Sequence, residues 1–220
     1  MFSESNEVNL ESSHVTGVLR SSKNVLERTA AYEFSQTFFR VRNLDATQQT
    51  LMLNGVKLNK MDTGRPEWSN WGGLNDALRK RNEYLSLEAS PVNLGGLSNS
   101  QNMLSMASEN RKGIKISYAL SNRTYRNRAM VTVNSGIGNK GWAYSFSSSL
   151  RSGTQGYREG TAYESYSIFL SVDKFLTDRH RINSTLIYAY NIRGRSAPMT
   201  DEVFEMKNDS YNSYWGYQMG

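Results

Sequence analysis

Three sets of residues in this chain have the types from which catalytic and ligand-cradling sites are built. The first, Gly136-Ile137-Gly138-Asn139-Lys140-Gly141, spells G-x-G-x-x-G. That spacing cradles a pyrophosphate only where the loop follows a strand and opens a helix, whose N-terminus then faces the anion. Here the residues from Trp142 onward alternate large apolar with small, so the glycines are expected to turn a hairpin. The second set is acidic: Asp201-Glu202 with Glu205, and Glu159 with Glu164. A glycosidase-type pair needs two carboxyls held at a fixed separation across one bond. In long polar loops these residues are expected as solvated charges, with Asp201 to Met206 as a short loop helix. The third is the two histidines, His14 and His180, far apart and beside no acidic cluster, which argues against a metal site or a His-based triad. With no cysteine in the chain, disulfides, thiolate metal ligands and cysteine nucleophiles are excluded. The expectation is a protein that is not an enzyme, with no catalytic, cofactor-binding or metal-binding residues and no cofactor.

The stronger signal is periodic. From Trp142 to Leu150 the large apolar side chains are Trp142, Tyr144, Phe146 and Leu150, with Ala143, Ser145, Ser147 and Ser149 between them. A period of two makes a strand with one apolar face. The same even-numbered register recurs in Ile114, Ile116, Tyr118 and Leu120, in Tyr166, Ile168, Leu170 and Val172, and in Ile182, Leu186, Tyr188, Tyr190 and Ile192. Strands are expected over 113–121, 127–135, 142–151, 163–175 and 181–192. The alternate positions, among them Lys115, Ser117, Asp173, Asn183, Thr185 and Asn191, are expected to face water. Connections at 136–141 and 176–180 are short, whereas 152–162 is longer and a long loop begins at 193.

Composition limits what such a sheet can belong to. The 220 residues are 38% hydrophobic and 11% aromatic, with thirteen tyrosines and four tryptophans. The mean hydropathy is −0.62, and no run approaches the about 18 to 20 apolar residues of a spanning helix. A membrane β-barrel escapes that test, because its strands need only about 9 to 11 residues and hide their signal in alternation. The formal charge is +6, with 26 Lys and Arg spread along the chain without a dense basic run. That reads as a solvated surface rather than a nucleic-acid partner.

The N-terminal half is organised differently. Residues 1–14 are polar and acidic and are expected as a frayed or linking terminus; no cationic segment followed by an apolar core marks a signal peptide there. A short helix is expected around 24–31. Thr50 to Leu58 carries Asn54-Gly55 between apolar residues, the signature of a type I′ hairpin. A capped turn or short helix follows Asn75, before Tyr84 to Glu88.

The strand Phe39-Arg40-Val41-Arg42, a gap, and Leu51-Met52-Leu53-Asn54-Gly55-Val56 together resemble the plug domain of TonB-dependent outer-membrane receptors. The run Thr63-Gly64-Arg65-Pro66-Glu67-Trp68-Ser69-Asn70-Trp71-Gly72-Gly73-Leu74-Asn75-Asp76 resembles the Bacteroidetes branch of that family. Ser121-Asn122-Arg123-x-Tyr125, Gly141-Trp142-Ala143, Gly156-Tyr157-x-Glu159-Gly160-Thr161 and Trp215-Gly216-Tyr217-Gln218 extend the match, which runs from about Val15 to Gly220. The chain departs from the pattern at Arg42-Asn43, where Arg-Gly is usual, and at Leu97-Ser98-Asn99 with Asn102-Met103-Leu104, in place of a small residue and an Ile-x-Ile strand.

The resemblance implies a mainly β protein: residues 1–14 a disordered or linking N-terminus, 15–108 an α/β plug domain, and 109–220 the first antiparallel strands of an incomplete outer-membrane β-barrel. It implies uptake of a bulky extracellular ligand, outer-membrane lipid around the wall, a TonB-type energising protein and, in some relatives, a surface lipoprotein partner. Such barrels have about 22 strands, so a fragment unable to transport alone is expected. Arg65, Trp68, Trp71 and Tyr84 are candidates for a ligand-facing plug apex, with a wedge between plug and wall as the competing role for the tryptophans. Trp142, Tyr144, Phe146, Tyr166, Tyr188 and Tyr190 are candidates for a lipid-facing surface or interfacial girdle. Alternation alone equally fits a soluble or surface-attached β-rich binding module with those rings in its core.

Overall fold

The computed structural model describes residues 44–215 other than 75, 86, 89, 95, 121–124 and 197–198. The expected short helix at 24–31, the strand Phe39–Arg42 and the terminus 1–14 lie outside the described residues, as does 216–220. The described residues form two sheets.

The first sheet has the order β2-β1-β4-β3. Strand β1 (Thr50–Leu53) turns back into β2 (Val56–Lys57) through Asn54 and Gly55. Both turn residues have positive φ, 50° and 86°, which the type I′ hairpin requires and which Asn-Gly supplies at least cost. Strand β3 (Arg81–Leu85) is antiparallel to β4 (Asn99–Met103), and β4 runs parallel to β1. Although β4 reads Asn-Ser-Gln-Asn-Met, it is the most enclosed strand of this sheet, held by ladders on both sides. The expected turn after Asn75 is present at 76–78. Asn59 staples the loop beyond β2: its Nδ2 donates to Gln49 O and Gly64 O, both at 2.7 Å, and its Oδ1 accepts from Leu51 N at 2.9 Å.

A turn of 3-10 helix at Ala107–Glu109 leads into the second sheet, a plain antiparallel meander in the order β5-β6-β7-β8-β9. Its strands are β5 (Gly113–Leu120), β6 (Asn127–Asn134), β7 (Trp142–Gly153), β8 (Tyr163–Phe175) and β9 (Arg181–Arg193). They fall within two residues of the positions the alternation predicts. The glycine-rich 136–141 segment is the β6–β7 turn and opens a strand, so no helix dipole is available there for a phosphate.

The two faces of the meander are reversed relative to a soluble sheet. Ile114, Ile116, Tyr118, Trp142, Tyr144, Phe146, Leu150, Tyr166, Leu170, Leu186, Tyr188 and Tyr190 are all exposed. On β7 and β8 the serine-rich face is buried, against the expectation that it faces water: Ser145, Ser147, Ser149, Ser165, Ser167, Ser171 and Asp173 have 1% exposure or less, whereas Lys115 is exposed as expected and Ser117, Asn183, Thr185 and Asn191 are half-buried. The reason is that the N-terminal unit packs on that face. A core of Leu51, Trp71, Leu74, Ala77, Leu78 and Met103 closes over Phe169 of β8, with Ile187 of β9 beside it. Serine is small enough to let the second unit approach, and its hydroxyl finds partners across the strands. Thr132 and Ser147 bond at 2.8 Å, Asn183 donates to Ser171 at 3.1 Å, and Arg151 donates to Ser165 at 2.8 Å. Buried hydroxyls so paired avoid the desolvation cost of an unmet polar group.

Candidate functional site

The surface between the two units gathers the chemistry. Its rows follow from strand register: Met130, Ser149, Ser167 and Ala189 form one row across β6 to β9, and Arg128, Arg151, Ser165 and Asn191 the next. Against these rows sits the segment after the 3-10 turn Trp68–Trp71. Ser167 Oγ donates to Gly72 O at 2.5 Å, and Arg128 Nη2 donates to Gly73 O at 3.2 Å. Gly73 has φ +90°, and a Cβ there would stand 3.0 Å from Arg151 Nε and 3.1 Å from Ser149 Oγ. Glycine is thus required by both the backbone angle and the approach of the wall. Arg151 is fixed in turn by Ser165 Oγ and by the rings of Tyr163 and Tyr125, whose centroids lie 5.3 and 5.8 Å from Cζ.

Two further joints tie the units. Asp76, in the turn after Gly73, accepts from Lys115 of β5 at 2.9 Å and from Arg79 at 2.8 Å. At the opposite end of the strands Asp173 is fully buried. It accepts from Ser108 N at 2.8 Å and from Asn183 Nδ2 at 2.5 Å, holding the linker turn to the wall. Asn54 of the β1–β2 turn reaches the same corner, donating to Ser105 Oγ at 2.8 Å and Asn183 Oδ1 at 3.1 Å. Between the first joint and the wall lies a cavity of about 150 Å³ lined by Asp76, Arg79, Ser117, Ala119, Arg128 and Met130.

The loops at the Arg128 end are locked to each other. Asn212 is buried and donates to Glu159 O at 2.7 Å and Arg195 O at 2.9 Å, and Glu159 N donates to Ser210 O at 2.9 Å. Tyr157 donates to Asp209 Oδ2 at 3.2 Å; local desolvation, followed by the Asp209 contact, pushes its phenol above the ordinary tyrosine value. The loop helix is present as α1 (Asp201–Met206), with Thr200 as its N-cap.

The residues singled out from sequence are distributed unevenly. Trp71, at 5% exposure, is part of the core between the units, the wedge position. Arg65 is turned to Asp45, at 3.1 Å, and Tyr84 is half-buried on β3 opposite Ser100, so these three share no common exposed surface. Trp68 lies in the 3-10 turn, its side chain outside the described set. By contrast Trp142, Tyr144, Phe146, Tyr166, Tyr188 and Tyr190 all come to one exposed face. Trp142 stacks on Tyr144 at 5.9 Å, with Lys174 Nζ over its ring at 5.0 Å. Glu159 and Glu164 lie in and beside the locked loops, and Asp201, Glu202 and Glu205 on α1. Sequence reasoning missed Arg128 and Arg151. The signal was there for Arg151, which breaks the small-residue series Ala143, Ser145, Ser147, Ser149 on what proves to be the covered face.

Neither a scan against protein-family models nor a search of curated proteins finds a match. Among solved structures the chain is similar to the ferric-catecholate import receptor Fiu of E. coli K12 in its open form. The TM-score is 0.52 at 16% identity, over 71% of this chain and 22% of that one. The ferric citrate transporter FecA, unliganded, aligns with a TM-score of 0.49 at 14% identity, over 76% of this chain and 26% of that one. The chain thus spans about a quarter or less of either receptor. At this identity the likeness is one of fold: a mainly β chain with antiparallel sheets, similar to part of the Fiu receptor.

Proposed function

We propose that this chain is the plug and the first wall strands of a TonB-dependent outer-membrane receptor, with residues 15–108 as plug and 109–220 as wall. The observation that carries the reading is the reversal of the meander. Its apolar face is bare and its polar face is covered by the N-terminal unit, which is the arrangement of a barrel whose outside meets lipid and whose lumen is filled. The Fiu-like fold and the Trp68–Asp76 run of the Bacteroidetes type support the same assignment.

In this reading the protein acts without covalent chemistry. A bulky ligand binds on the side of the locked loops, a TonB-type partner pulls from the opposite side, and the contacts of Gly72, Gly73, Asp76 and Asp173 are those that must yield. Both edges of the meander, β5 and β9, are unpaired among the described strands. In lipid such edges are costly without being a bar to the apolar face seating in a bilayer, and the reading calls for further strands to close the wall in a working receptor. The same strands would cover the exposed Met61, Leu87, Leu94 and Leu97 of the N-terminal unit.

The test places the chain in vesicles made with brominated lipids. Trp142 fluorescence is expected to be quenched, and Trp142→Phe is expected to remove most of the quenching while Trp71→Phe leaves it. A chain that is monodisperse without detergent and indifferent to the bromines would sink the reading, in favour of a soluble β-rich binding module.

A further inference from the structure

We propose that the cavity between the Asp76–Arg79 turn and strands β5 and β6 is a binding site for a small oxyanion, a phosphate or a carboxylate group. Arg128 and Arg151 are direct cross-strand partners on the same face, and like charges placed so destabilise a sheet. Neither is ion-paired to a carboxylate among the described residues, and the Nε of each is buried without a hydrogen-bond partner. Arg128 spends Nη2 on Gly73 O and on the thioether of Met130, a weak acceptor. The Asp76 carboxylate is occupied through Oδ1 by Lys115 and Arg79. The site is therefore left with a cationic excess, and Arg128, in its lining, brings an unpartnered Nε to about 150 Å³ of space, whereas Arg151 stands behind it with its Nε toward Gly73.

Water alone would hydrogen-bond the Arg128 Nε but would not neutralise the charge, whereas an oxyanion does both. A guanidinium fork matches the oxygens of phosphate or carboxylate in a bidentate pair. Arg79, whose side chain is 62% exposed, stands at the mouth and can close over a bound anion. The second oxygen of Asp76, buried and without a partner, favours a ligand that also offers a hydroxyl, as hydrogen phosphate does. The inference stands on the contact between the units and does not depend on transport.

Calorimetric titration of the full chain in detergent micelles tests it, with inorganic phosphate and with malonate, against chloride at matched ionic strength. Saturable binding of phosphate or malonate beyond chloride is expected, phosphate the tighter if the natural group is a phosphate and malonate if it is a carboxylate. Arg128→Gln should weaken it about tenfold or more, the loss of one charge-assisted bond, and Arg79→Gln several-fold. Because Arg128 also holds Gly73, its variant can fail to fold; the exposed Arg79→Gln then decides alone. No saturable binding by either anion, or affinity unchanged by Arg79→Gln, overturns the proposal. That outcome leaves the lipid-facing reading standing, since the brominated lipids probe the opposite face.

Discussion

The seat of Gly73 on the wall predicts a large effect from a single methyl group. In Gly73→Ala the new Cβ meets Arg151 Nε at 3.0 Å, Ser149 Oγ at 3.1 Å and Arg151 Cζ at 3.2 Å. Arg151 has little room to yield, being 5% exposed and held by Ser165 and two tyrosine rings. An L-residue at φ +90° adds a backbone cost of about 1–2 kcal/mol, and the overpacking adds about 1–3 kcal/mol. The sum, about 2–5 kcal/mol, should appear as local loosening of the N-terminal unit from the wall. Hydrogen exchange read by mass spectrometry in micelles measures it. Protection across 71–80, where Leu78 N bonds Leu74 O at 3.0 Å, should fall by about thirtyfold or more, since about 1.4 kcal/mol is a factor of ten. Strands β7 and β8, tied by their own ladder, should change less. Gly96→Ala is the control: nothing lies within 4 Å of its Cβ and its φ is not in the left-handed region. If Gly73→Ala exchanges like Gly96→Ala, the close seat is wrong. A cycle with Arg151→Ala separates the two costs: trimming Arg151 should recover the steric part, giving a coupling of about 1–2 kcal/mol, and leave the backbone part.

Other perturbations address the remaining joints. Asp173→Asn places an amide before donors from Ser108 and Asn183; leaving a buried donor unmet costs about 1–3 kcal/mol, read as faster protease cutting at 106–112. Leu170→Arg, on the bare face of β8, should cost about 2–4 kcal/mol of folding into vesicles if that residue lies near the bilayer midplane, whereas Leu176→Arg in the β8–β9 turn should cost little. Equal costs would argue against a lipid-facing wall. The Tyr157–Asp209 contact fixes a sign with pH. A tyrosine raised in the folded state contributes its stabilisation fully below the ordinary value of about 10, and loses it as pH rises through the higher folded value. Ultraviolet titration should show a late-ionising phenol that Asp209→Asn brings back toward the ordinary value; loop docking in Tyr157→Phe should lose that part of its pH dependence.

How much of this was legible in the sequence depended on the range of the interaction that sets it. The hairpin at Asn54-Gly55 and the five strands of the meander are local: dihedral preference at two residues and a period of two over eight to thirteen residues. Both survive in the structure almost residue for residue. Strand β4 was less legible, because Asn99 to Met103 has neither alternation nor β-branched residues; its place is set by β1 and β3, which pair with it from far away in the chain. Arg128 and Arg151 were invisible as a pair for a related reason. Only the β6–β7 register, fixed by the turn at 136–141, brings them opposite each other.

The misreading of the serine face shows where a periodic argument stops. Alternation says that a strand has two unlike faces; it does not say which face is covered, or by what. In a soluble sheet the covering partner is apolar, so the polar face is assigned to water. Here the covering unit presents apolar residues at one row, around Phe169, and two carbonyls, an amide N–H and a carboxylate at the others. Gly72 O and Gly73 O meet Ser167 and Arg128, Ser108 N meets Asp173, and Asp76 meets Lys115. A seam of hydrogen bonds is individually modest, about 0.5–1.5 kcal/mol each when satisfied, and water can replace each bond as it opens. Apolar contact has no such substitute. On the proposed reading, a polar wall suits a unit that must stay seated and still be drawn away, one bond at a time, and the bare aromatic face of the same strands meets lipid. The two demands assign the two faces, and they are why residues as plain as Ser147 and Ser167 carry as much of the functional argument as Trp142 and Tyr188.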